Sequence, residues 1–148
     1  MSNNKYRAIT VIEMLVAISI IAILASFIYI NLKNYQPTID LSGASRQLIT
    51  DLRYAQELAV AQQVKHGIQF FVNEKKYQLI KYGESETIIK EVRLPDTVSF
   101  HLIEGLSLNR VRFNSYGAVE ESGKVVLIND NSLQKTIYIR PSGFVESE

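Results

Sequence analysis

Residues 9–30 read ITVIEMLVAISIIAILASFIYI, and Glu13 is the one charged side chain between Arg7 and Lys33. As a helix this stretch rises about 33 Å, enough for a hydrocarbon core of about 30 Å. Its thirteen Ile, Val, Leu and Phe side chains favour membrane insertion by about 4–8 kcal/mol at about 0.3–0.6 kcal/mol each. An acid at the centre of a span costs about 2.5–3.5 kcal/mol, and Glu13 lies near the end, where the cost is smaller. One carboxylate therefore does not veto insertion. Lys5 and Arg7 precede the run, so the positive-inside rule keeps the short N-terminus in the cytoplasm and sends the rest across as an extracytoplasmic C-terminal domain.

Hydropathy alone leaves three readings open: a cleavable secretory signal, an uncleaved single-pass anchor, or a signal of another class. Secretory signals carry apolar regions of about 7–15 residues that end in a small-x-small site. This run is longer and offers only Ile23-Leu24-Ala25 as a poor candidate site. Neither a secretory signal nor an ordinary anchor accounts for Glu13.

Residues 5–26, KYRAITVIEMLVAISIIAILAS, resemble the N-terminal signal of type IV prepilins and type II secretion pseudopilins. The resemblance implies a leader of residues 1–8, cut after Ala8 by a membrane prepilin peptidase that also N-methylates Ile9. It also implies that Glu13, then the fifth residue, sets subunit register by meeting the N-terminal amine of a neighbour. Ala8 stands where the family has Gly and Ile9 where it has Phe, which bears on processing efficiency. Independently of the family, Glu13 lies four residues after Ile9, so one helical turn places its carboxylate on the face of a newly cut α-amino group. It also falls in the first turn, where the helix dipole favours an acid.

Farther along, Pro37 lacks a donor and disfavours helical geometry at Gln36, which predicts a kink or break there. Leu41, Ala44, Leu48, Leu52, Ala55 and Ala59 then recur at spacings of three and four, the stripe of an amphipathic helix over 38–65. Thr38 or Asp40 is its expected cap and Gly67 its expected stop. Arg46, Asp51, Arg53, Glu57 and Gln62 form its polar face, read as solvated.

From Ile68 the period changes to two. Ile68, Phe70 and Val72, then Tyr77 and Leu79 after Asn73-Glu74-Lys75-Lys76, predict a hairpin. Further strands are expected at 87–93, 97–103, 110–114, 124–129 and 135–140, with turn chemistry at 115–123, 129–134 and 140–143. The fold class is α+β: a long apolar helix continuing into an amphipathic helix packed on an antiparallel β head. Phe70, Val98, Phe100, Val111, Phe113, Leu127, Ile137 and Ile139 are its candidate inward residues. The expected organisation is a leader over 1–8, a transmembrane and filament-core helix over 9–37, and a head over 38–148.

Residues 111–130 and 135–148 resemble the closing strands of H-type pseudopilins and FimT-type minor pilins, with Gly117 and Gly143 as the matching turn glycines. The resemblance as a whole implies a structural subunit of a type IV pilus or type II secretion filament. Its partners would be other pilin subunits through the N-terminal helix, the prepilin peptidase and the membrane. Its location would be the cytoplasmic (inner) membrane, then an extracellular or periplasmic filament. The alternatives are an unprocessed membrane-anchored binding module and a DNA-uptake minor pilin.

Other chemistry finds little support. Sixteen basic and fifteen acidic side chains balance, and the acidic ending Phe-Val-Glu-Ser-Glu argues against a nucleic-acid partner despite Arg110, Arg112 and Arg140. Cysteine is absent, which removes thiolate metal sites. His66 and His101, the two histidines, lie in no ligand motif, and Asn129-Asp130-Asn131 reads as a hairpin turn rather than a calcium loop. Neither a phosphate loop nor a nucleophile elbow is present. The expectation is no enzyme, no cofactor and no metal.

Overall fold

The computed structural model describes residues 10–148, with the side chains of 27–34 left out of the description. Ala8 and Ile9, the expected cleavage and methylation positions, lie outside the described residues. Two compact units are distinguished, 1–36 and 37–148.

One helix, α1, runs Val11–Gln62 with Pro37 inside it. The break expected at Pro37 does not occur, and neither Thr38 nor Asp40 begins a second helix. A proline in a helix interior forfeits one backbone bond at about 3 kcal/mol, so the element is not obliged to end there. The buried stripe that follows favours continuation. Leu48, Leu52, Ala55 and Ala59 are each 0 % exposed, and a leucine wholly removed from water contributes about 1.5–3 kcal/mol. The stop also differs from expectation. Helix α1 closes at Gln63, which adopts a left-handed conformation with φ 54°, and Gly67 instead sits inside the first strand.

The 37–148 unit then forms β1 (Lys65–Phe71), β2 (Lys76–Tyr82), β3 (Glu86–Arg93), β4 (Val98–Glu104), β5 (Arg110–Phe113), β6 (Gly123–Asn129), β7 (Gln134–Ile139) and β8 (Val145–Ser147). Val72, expected in the first strand, belongs instead to a 3-10 turn over Val72–Glu74. Short β8 carries too few residues to show alternation. The strands form two antiparallel sheets, one ordered β3-β2-β1-β5 and the other β4-β6-β7-β8.

Every candidate inward residue named above is buried. Phe70 of the first sheet meets Phe100 of the second edge to face, with ring centres 5.6 Å apart. Their quadrupoles make that geometry favourable, and it joins the two sheets over the stripe of α1. The result is the α+β head expected from the pattern.

Candidate functional site

The apolar segment begins with a cap that the sequence reading overlooked. The Thr10 hydroxyl accepts the Glu13 backbone N–H at 3.3 Å, and the Thr10 carbonyl accepts the N–H groups of Glu13 and Met14. Thr10 is thus an N-cap three residues before Glu13, the spacing of a capping box. The legible signal was Thr-x-x-Glu ahead of an apolar run.

Beyond the cap, the exposed apolar side chains are not confined to one face. Val11, Ile12, Leu15, Ile18, Ile21 and Leu24 are all more than half exposed, and at 100° per residue they point around the helix. A helix apolar all round requires an apolar surrounding, either lipid or other helices. The hydroxyls of Ser19 and Ser26 donate to the carbonyls of Leu15 and Ala22 at 2.7 and 2.8 Å, so those polar groups are satisfied within the segment. Glu13 is the exception: among the described residues no cation lies within ion-pair distance of its carboxylate. Among the described residues no helix is long and apolar enough to cross a membrane. Those with described side chains stop at Ser26, within the predicted 9–30 span.

The head holds its own buried carboxylate, and here the solvated-face expectation fails. Asp51 is 3 % exposed. Its Oδ1 accepts Lys90 Nζ at 2.6 Å, and its Oδ2 accepts the Tyr77 hydroxyl at 2.7 Å and Gln47 Nε2 at 3.1 Å. Burial, then the bond to Asp51, pushes the Tyr77 hydroxyl far above its ordinary value of 10.0. The spacing could have revealed this group, because Asp51 lies three residues after Leu48 and four before Ala55, on the buried seam.

The other polar groups hold the fold. Arg53 donates to the Val145 carbonyl at 3.0 Å and Gln56 to the Gly117 carbonyl at 2.8 Å. Gly117 and Gly143 both have positive φ, 84° and 85°. A Cβ at position 143 would lie 2.0 Å from the Gly117 carbonyl oxygen, so these turns require glycine because they touch.

His66 is buried with Nδ1 2.7 Å from the Val64 carbonyl, and His101 is exposed at a bulge in β4. They are not brought together. Asn129 Oδ1 accepts the N–H groups of Asn131 and Leu133 at 3.1 and 2.9 Å, the bonding of a hairpin turn. Among the described residues no cluster of His, Asp and Glu could hold a metal. Of the three arginines weighed for phosphate contact, Arg112 pairs with Glu120 at 2.7 Å and Arg140 with Glu146. Glu120 also holds Lys65 at 2.6 Å. Arg112 and Arg140 are thus paired within the head, whereas Arg110 has no ion pair among the described residues.

Comparison with known proteins follows the same two parts. Residues 3–29 match the family model described as the prokaryotic N-terminal methylation motif. Two similar solved structures are the minor pseudopilin EpsH from the type 2 secretion system of Vibrio cholerae and the type IV minor pilin FimU of Pseudomonas aeruginosa. EpsH gives a TM-score of 0.62 at 11% identity, covering 74% of this chain and 96% of its own. FimU gives 0.61 at 16% identity, covering 77% and 92%. At such identities the likeness is one of fold. No curated protein matches the chain.

Proposed function

We propose, from an N-terminal segment that carries the methylation motif and a head with the minor-pilin fold, that the chain is a structural subunit of a type IV pilus or type II secretion filament. In this reading prepilin peptidase removes residues 1–8, Ile9 becomes the methylated N-terminus, and the segment to residue 37 moves from the cytoplasmic membrane into the filament core. Residues 38–148 then face outward in the periplasm or beyond the cell. The observation that carries the reading is a capped helix, apolar on all sides, with a single carboxylate in its first turn.

The physical logic is one of compensation. A carboxylate entering apolar surroundings is costly unless an amine meets it, and an uncompensated buried charge costs about 3–5 kcal/mol. Cleavage before Ile9 creates an amine, and the amine of an adjacent subunit can neutralise Glu13 only in one register. Ordered addition follows from that penalty. No step requires chemistry by the head, so its role is structural rather than enzymatic.

Mass spectrometry of the chain recovered from its native host tests the reading. N-methyl-Ile9 as the first residue supports it. An intact Met1 overturns it in favour of an uncleaved anchor that displays the same head.

A further inference from the structure

The face of the β3-β2-β1-β5 sheet turned away from α1 carries a strained, exposed anchor beside an unmatched cation. Leu108 and Asn109 both lie in the left-handed region, at φ 55° and 51°. A leucine there costs about 1–2 kcal/mol, and backbone strain of this kind gathers where a surface is put to use. Gln69 holds the pair, its Nε2 donating to the carbonyls of Leu108 and Asn109 at 2.7 and 3.1 Å. Leu108 is left 74 % exposed.

Next along the chain, the side chain of Arg110 makes no ion pair or hydrogen bond among the described residues, and its Nε is buried without a partner. Both residues line a groove of about 470 Å³ with Gln69, Ile80 and Ile88. Ile88 is 56 % exposed. Glu86, also on the groove, is not within ion-pair distance of Arg110. The surface fits a carboxylate flanked by apolar side chains, presented on a rigid element.

Such an element exists on the same chain. Glu57 is exposed on α1 and has no cationic partner among the described residues. Tyr54 and Val60, three residues to either side, are 44 % and 43 % exposed, and Arg53, one turn earlier, spends its guanidinium on Val145. We infer that the Leu108–Arg110 groove of one subunit receives the Tyr54–Glu57–Val60 face of a second copy of this chain.

One molecule cannot join the two surfaces itself. Tyr77 turns the inner face of the first sheet toward α1 through Asp51. Gln69 and Arg110, paired in register, point the other way, because they alternate with the core residues Ile68, Phe70, Val111 and Phe113. A contact between unlike surfaces on opposite sides repeats head to tail, and forms an open series wherever its rotation does not close into a ring. The inference rests on the filament reading above and adds a head-to-head-domain contact to it.

The chain has no cysteine, so introduced thiols report without background. The full-length chain bearing both Leu108→Cys and Val60→Cys is oxidised in cells and run without reductant. A reducible ladder of dimers, trimers and higher species is expected. Each single variant should stay monomeric, and a mixture of the two singles should stop at dimer. Glu57→Arg, on an exposed helix face, should reduce the ladder at least tenfold, and adding Arg110→Glu should restore it.

Filaments that form without a ladder overturn this contact and leave the proposed function standing. A ladder in a chain that never leaves the membrane supports the contact and overturns the filament reading. Linkage to a different chain, or loss by Glu57→Arg that Arg110→Glu does not reverse, overturns the choice of a second copy.

Discussion

Glu13 and Asp51 are two carboxylates on one helix, and the chain treats them in opposite ways. Asp51 is enclosed and receives all its partners from its own head: Lys90, Tyr77 and Gln47. Glu13 stands among exposed apolar side chains with no cation near it in the described residues. Asp51 is satisfied within one molecule, whereas the described N-terminal segment carries exposed apolar side chains around a carboxylate with no cation near it. A self-contained polar group fixes a fold, and an unsatisfied one invites assembly.

The strongest way to break this contrast is Glu13→Ala in the full-length chain. On the proposed reading this removes a pairing worth about 3–5 kcal/mol and lowers incorporation into filaments about a hundredfold or more. The proposed cleavage before Ile9 is expected to persist, and the head unfolds as before to within about 0.5 kcal/mol. Filament yield by immunoblot and head unfolding in detergent report the two halves. Unchanged incorporation would remove the electrostatic account of register.

Asp51→Ala reverses the pattern. It leaves the Lys90 ammonium and the Tyr77 hydroxyl without their acceptor, and head stability falls by about 3–5 kcal/mol in urea unfolding followed by tyrosine fluorescence. On the proposed reading, removal of residues 1–8 is unaffected, because the substitution lies far from the N-terminal motif. If both substitutions lowered head stability alike, the division between the two carboxylates would be false.

Tyr77→Phe sharpens the comparison by removing one of the three donors to Asp51. The expected cost is about 1–3 kcal/mol in the same unfolding assay. The raised hydroxyl also sets an alkaline limit. It stays protonated in the folded head above its ordinary value of 10.0, so its stabilising contribution is present below that pH and is lost as the pH rises through the folded value.

The smallest effect belongs to the exposed rim. The Ser107 backbone N–H bonded to Glu121, and the Gln78 amide bonded to Glu91, hold these two carboxyls below their ordinary value of 4.5. Below that pH the unfolded chain binds protons that the folded head resists, so the contribution is present above 4.5 and fades as the pH falls through the lowered values. Glu121→Gln should flatten the acid limb of the stability curve slightly and leave the neutral plateau in place.

Much of this was legible from spacing. Leu41, Ala44, Leu48, Leu52, Ala55 and Ala59 announced the buried stripe at three and four residues, and the change to a period of two at Ile68 announced the strands. What escaped depended on local competition or on meetings across the chain. Pro37 did not end α1, since one lost backbone bond is small beside the favourable helix on either side. Asp51 was placed on the wrong face because residue type was weighed over position. The left-handed turn at Leu108 left no signal in the sequence, since leucine is among the residue types least expected there. The donors that Lys90 and Tyr77 bring to Asp51 are 39 and 26 residues away, beyond the reach of any local pattern.

The contact between Gly117 and Gly143 has a consequence for how such a head can be altered. Two connections that are distant along the polypeptide occupy one volume against Gln56 and Val60, so lengthening either displaces the other and the helix side chain beneath both. A Cβ at Gly83, in the bend between β2 and β3, would meet nothing nearer than the Ser85 carbonyl oxygen of the same bend, at 3.9 Å. Epitope tags, reporter peptides and natural insertions have a permissive doorway between β2 and β3, whereas the β5–β6 and β7–β8 connections have to change together or not at all.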